Sequence, residues 1–176
     1  MLIRIPRRRA HLVVLFAAFL AAPAGGCAAH EAPVTQPDFE TRLVLKNPAG
    51  DETREFKAGE TITFVVTLTN RASAPRTLTF PSSQTHDCIV NTADHKEVWR
   101  HSSGRMFAQV ITEATLKPGE SRTFTATWNQ TDAKGQPVPP GEYEAVGLVN
   151  GRAPGCRSEA LRFTIRPAAA GKPTGP

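Results

Sequence analysis

From Thr61 to Thr69 the chain alternates strictly: Ile62, Phe64, Val66 and Leu68 are apolar, and Thr61, Thr63, Thr67 and Thr69 interleave with them. A period of two puts the two sets on opposite faces of a strand, one for a core and one for water. Shorter stretches repeat the pattern. Residues 76–80 turn Leu78 and Phe80 inward, 86–91 turn Cys88 and Val90 inward, and 121–128 do the same with Phe124, Ala126 and Trp128. Residues 142–149 set Tyr143, Ala145 and Val149 against Glu142 and Glu144, and 160–165 align Leu161, Phe163 and Ile165. With 96–100 and the weaker first segment 42–46, this makes eight predicted strands. No stretch carries a 3.6-residue period. Short half-buried strands separated by turns predict an all-β fold, an immunoglobulin-like antiparallel β-sandwich of about eight strands, with a closed barrel as the alternative.

One turn pattern recurs directly ahead of strong strands: Lys57-Ala58-Gly59-Glu60, Lys117-Pro118-Gly119-Glu120 and Pro139-Pro140-Gly141-Glu142. Proline fixes φ, and glycine supplies the positive φ that the third position of a type II turn needs. These glutamates therefore punctuate strands and are not an acid/base pair.

The ends of the chain belong to something other than the fold. Residues 1–9 carry four arginines, and residues 10–22 are a short apolar core, too short for a good membrane span. Ala24-Gly25-Gly26-Cys27 follows and resembles a bacterial lipobox, with Ala24 where leucine is usual. This predicts a lipoprotein signal over 1–26, lipidation of Cys27, a flexible tether over 27–40, a β-sandwich domain over 41–166 and a disordered tail over 167–176. The expected location is the cell envelope, held to the membrane through the lipid. Ala28 follows the cysteine in place of aspartate, which favours the outer membrane. An ordinary secretory signal that leaves Cys27 as a free thiol is the alternative.

Charge then changes meaning. The formal net charge of +5 comes largely from the leader: four of the 21 Lys and Arg residues lie there with no acid, leaving 17 basic against 16 acidic residues. A near-neutral exported domain offers no electrostatic footprint for nucleic acid. In an oxidising compartment the remaining pair, Cys88 and Cys156, is expected to form a disulfide.

Catalytic chemistry finds little to work with. His86 and Cys88 share one strand face, and His95, His101 and Met106 lie nearby in sequence. The spacing does not suit a copper site, and nothing in the sequence orients His86 toward the thiol. Neither a nucleophile elbow nor a phosphate or dinucleotide loop is present, so the expectation is a non-enzyme without metal or cofactor. Trp99 is read as a core residue. The inner faces of the strands are taken up by the core, so a binding surface must come from loops. The candidates are 101–105, 129–140 and 150–157. The last carries Arg152 and Arg157, and its expected disulfide would brace it, so these two arginines are the predicted partner-binding residues.

The turns also stand in a longer ordered series: Phe56, Gly59-Glu60, Asn70, Phe80-Pro81-Ser82, Gln84, Asp87, Glu97-Val98-Trp99, Met106-Phe107, Leu116, Pro118-Gly119-Glu120, Trp128 and Pro140-Gly141-Glu142-Tyr143. From Phe56 to Val149 this series resembles the BsuPI-type intracellular proteinase inhibitor domain. The resemblance implies an immunoglobulin-like sandwich, a serine proteinase as protein partner, and no catalytic residues. The family is named as intracellular, whereas this chain carries an export signal. A non-inhibitory interaction or assembly module tethered to the membrane is the competing expectation.

Overall fold

The computed structural model describes residues 37–168; the expected signal peptide, Cys27, most of the tether and all but the first two residues of the tail lie outside them. Ten strands follow: β1 (Phe39–Lys46), β2 (Glu55–Lys57), β3 (Ile62–Asn70), β4 (Arg76–Phe80), β5 (His86–Thr92), β6 (Glu97–Arg100), β7 (Thr112–Leu116), β8 (Ser121–Trp128), β9 (Gly141–Val149) and β10 (Leu161–Arg166). One sheet has the order β1-β3-β8, the facing sheet β2-β10-β9-β5-β6, and β4 and β7 form a separate ribbon. Every ladder is antiparallel except that of β2 with β10. The fold is the expected all-β sandwich.

β3 carries the core. Its alternating side chains Ile62, Phe64, Val66 and Leu68 are fully buried. On either side, Leu43 and Phe124 stand opposite Val66, and Leu45 and Ala126 opposite Phe64. From the facing sheet, Cys88 and Val90 of β5, Tyr143, Ala145 and Val149 of β9, and Phe163 and Ile165 of β10 close the same cluster. Each large side chain so buried contributes about 1.5–3 kcal/mol. The outer faces are rich in threonine, and hydroxyls meet across strands: Thr67 with Thr123, Thr69 with Ser121 and Thr77 with Thr115. At the entry to β9 the Tyr143 hydroxyl donates to the Pro139 carbonyl at 2.6 Å, the tyrosine corner found in immunoglobulin-like sandwiches.

Two strands exceed the eight expected. β2 has three residues and buries only Phe56, and β7 buries only Leu116, so neither shows an alternating stripe. β1 also begins at Phe39, which is buried, and so takes in the last two residues of the expected tether.

Two of the three recurrent turns form as expected, with Gly59 at φ 81° and Gly119 at φ 75°. Each glutamate closes its own turn: the Glu60 carboxylate accepts from the Lys57 N–H at 2.8 Å, and Glu120 does the same for Lys117 at 2.7 Å. The third differs. Gly141 is near-extended at φ 158° and is already the first residue of β9.

Phe64 is enclosed on all sides and its ring stacks on Trp99 with centroids 5.5 Å apart. Phe64→Ala is therefore expected to lower unfolding stability by about 3–5 kcal/mol, read by chemical denaturation.

Candidate functional site

A buried charge organises one end of the sandwich. Asp87 lies on the outer face of β5, yet it is only 3% exposed because the turn after β6 folds over it. A carboxylate can be buried at tolerable cost only if its lone pairs are filled. Here the donors are the N–H groups of Cys88 (2.9 Å) and Ser102 (3.1 Å), the Ser102 hydroxyl (2.6 Å), the Gln84 amide (3.3 Å) and the Arg100 guanidinium (3.4 Å). Arg100 is in turn held by Glu97 at 2.6 Å. Asp87 thus fixes residues 100–102, the base of the turn through Gly104 and Arg105. Asp87→Ala leaves these donors without their acceptor. It is expected to cost about 1–3 kcal/mol and to speed amide hydrogen exchange in residues 102–108.

Beyond that turn, residues 105–111 run without regular structure to β7. At the middle, Ala108 is clamped to Ser83: the Ser83 N–H donates to the Ala108 carbonyl and the Ala108 N–H to the Ser83 hydroxyl, both at 2.9 Å. On either side apolar side chains stand in water. Met106 is 99% exposed, Ile111 72% and Val110 54%, and these are the large exposed hydrophobic residues among those described. Between them Phe107 is half-buried. The result is an exposed apolar loop with fixed ends and a fixed centre, a geometry suited to docking on another protein with little loss of entropy.

The family model for intracellular proteinase inhibitors of the BsuPI type matches residues 42–154, which span the sandwich from β1 through β9 together with this loop. The chain belongs to the BsuPI family. None of the curated proteins matches it. Among solved structures, it is similar to part of a Pseudomonas fluorescens alkylpurine DNA glycosylase, AlkC, bound to DNA containing an abasic site analog. That likeness has 18% identity and a TM-score of 0.44, over 75% of this chain and 31% of that one. A β-glucosidase from Erythrobacter marinus shows 12% identity and a TM-score of 0.41 over 74% of this chain and 16% of its own. For a β-glucosidase from Listeria innocua in complex with gluconolactone the values are 14% and 0.39, over 75% and 16%. The chain thus spans less than a third of each of these larger proteins.

Within this BsuPI domain the residues expected from sequence fall as follows. The disulfide is not formed: Cys88 and Cys156 are both buried free thiols. The register explains why. Cys88 pairs with Gly147 on one side of β9, while Val149 on the same strand donates to the Cys156 carbonyl from the other side. Two strand spacings, about 9.6 Å, exceed the roughly 7 Å that a disulfide spans between Cα atoms. The 150–157 loop is held by other means. Asn150 and Arg152 donate from their backbones to Thr85 and Thr79, and the Thr41 hydroxyl donates to the Gly155 carbonyl at 2.7 Å. At Gly155 a Cβ would fall 1.7 Å from the Phe39 carbonyl oxygen, so only glycine fits against β1. Arg152 and Arg157 are exposed and lie in different settings: the Arg152 backbone is tied to Thr79, whereas Arg157 bridges to Leu148 and lines a groove of about 1040 Å³ beside β1. Of the five arginines in that groove, Arg42, Arg71 and Arg162 are paired with glutamates.

The long 129–140 loop is committed to the fold. Gln130 is 2% exposed at φ 60° and spends its amide on the Gly59 N–H and on the Lys57 and Glu60 carbonyls. Val138 is buried, and the Trp128 indole donates to the Thr131 carbonyl. The exposed loop 105–111 was missed from sequence because it lies between predicted strands and its apolar residues do not alternate. The available signal was a run from Val98 to Thr112 with no acid, holding Met106-Phe107 and Val110-Ile111.

The inner face beneath the turn is aromatic. Trp99 is half-buried and stacks between Phe64 and Trp128, as a core residue should. His86 stacks on His101 at 5.2 Å and on Phe124 at 5.3 Å. Its Nε2–H donates to the Thr125 carbonyl while its Nδ1 accepts from the Thr85 hydroxyl, so its ring nitrogens serve structure. Burial, with a contribution from Asp87, pushes the neighbouring Cys88 thiol up to about 12, which leaves it protonated and unreactive. Met106, fully exposed, takes no part in this cluster.

Both histidines are held below their ordinary value of 6.5, first by burial; at His86 the hydrogen bond to the Thr125 carbonyl and the Asp87 charge oppose this, and at His101 the Arg105 and His86 charges add to it against Asp87. The unfolded chain therefore binds more protons than the folded one once the pH drops below about 6.5. Stability contributed by the neutral rings is complete above that value and is lost as pH falls toward the depressed folded value. Thermal denaturation between pH 7.5 and 5.5 should show a falling Tm, and His101→Gln should flatten the slope.

Proposed function

We propose that this protein is a membrane-tethered inhibitor that binds and regulates a serine proteinase of the cell envelope. The observation that carries the proposal is membership of the BsuPI family across 42–154, a span that holds both the Asp87-braced turn and the exposed 105–111 loop. The lipobox ending at Cys27 supports the location. A lipid on that cysteine would hold the domain at a membrane surface, with the residues between Cys27 and β1 as a leash, and Ala28 favours the outer membrane.

Titration of the purified exported protein against a panel of serine proteinases is expected to abolish the activity of at least one of them stoichiometrically. Rapid digestion of the protein, or no effect on any enzyme, would instead support the tethered assembly module. Independently, Cys27→Ser should move the protein from the detergent phase to the aqueous phase, and retention with the membrane would remove the lipid from the proposal.

A further inference from the structure

We propose that Met106–Ile111 is the segment that enters the proteinase, and that Met106 occupies the apolar primary specificity pocket of a chymotrypsin-like or subtilisin-like enzyme. This rests on the inhibitor function proposed above and assigns it to a site. Three observations converge. First, the large exposed apolar side chains among the described residues, Met106, Val110 and Ile111, all fall within these six positions, and such clustering of exposed apolar side chains marks an interaction site. Second, the segment belongs to no sheet, and the backbone groups of Met106, Phe107, Gln109, Val110 and Ile111 have no backbone hydrogen-bond partner among the described residues. A proteinase cleft binds its peptide as an added strand and reads one side chain in a pocket, so this is the backbone state it accepts. Third, the segment is held in place. Asp87 fixes the turn before it, the Ser83–Ala108 pair fixes its centre, and β7 takes up its end. Little conformational freedom remains to be lost on docking.

The chemistry of the segment sets the class of enzyme. Methionine is unbranched and apolar and fills a deep hydrophobic slot. No carboxylate lies between Val98 and Thr112, so nothing in the loop opposes entry into an uncharged pocket, while Arg105 precedes Met106. The competing loops are less suited. Loop 129–140 turns Gln130 and Val138 into the fold, and loop 150–157 is locked on β1 through Gly155 and on β9 through Cys156. Inhibition here requires only reversible occupation of the cleft, with no covalent step.

The test measures inhibition constants of the exported protein against subtilisin and chymotrypsin, whose primary pockets are apolar, and trypsin, whose pocket is acidic. The wild-type protein is expected to inhibit an apolar-pocket enzyme. Met106→Asp should weaken that inhibition about 30-fold or more, Met106→Leu should keep it, and Met106→Lys should transfer inhibition to trypsin. Thermal stability should not change, because the side chain touches nothing. If the wild-type protein inhibits but Met106→Asp and Met106→Lys behave like it, the assignment of the loop is overturned while the inhibitor function stands. The same holds if Arg152→Ala with Arg157→Ala abolishes inhibition and the Met106 variants do not. If the wild-type protein inhibits none of a broad panel, the inhibitor function fails and this assignment fails with it.

Discussion

Four side chains on one face of β3 set the terms for the rest of the molecule. Ile62, Phe64, Val66 and Leu68 are wholly removed from water, and that is possible only if β1 and β8 flank the strand and a second sheet covers it. The facing strands answer with their own inward rows, from Cys88 and Val90 to Phe163 and Ile165. The burial of this stripe accounts for two-sheet architecture and for the Thr-rich outer faces left to water.

A second constraint ties the core to the exposed end. Asp87 alternates outward on the strand whose inward residue is Cys88, and in an open sheet it would be solvated. Its burial depends on Ser102 and Arg100 folding back over it, so the charge and the turn require each other. From this braced turn the chain runs out into water with Met106, and it returns to order only through the Ser83 clamp and β7. Rigidity and exposure are thus supplied by different residues, which lets the exposed positions vary in chemistry without cost to the core.

The buried thiols and histidines sort with the structural residues. Cys88 and Cys156 lie on opposite sides of β9, each raised by burial, and His86 and His101 stack beneath the turn as neutral rings. These groups respond to pH through stability.

The sequence by itself determined the strands that bury a stripe. Residues 76–80 and 121–128 coincide with β4 and β8, and the inward residues of β3, β5, β9 and β10 are those the alternation named, because side-chain burial with a period of two is a local property of the chain. The same locality made the turns at Gly59 and Gly119 legible, and the motif series was specific enough to identify the BsuPI family. Strands β2 and β7 were not legible, since each buries a single side chain and is recruited by its neighbour's edge. Nor was the state of the cysteines. Whether two thiols 68 positions apart can meet is decided by which side of β9 each one lands on, and no pattern within either segment records that. The exposed loop is the same kind of fact. Met106 in a sequence is as ready for a core as for water, and only the closure of the sandwich, with its interior already filled by Phe64, Trp99, Phe124 and Trp128, left it outside.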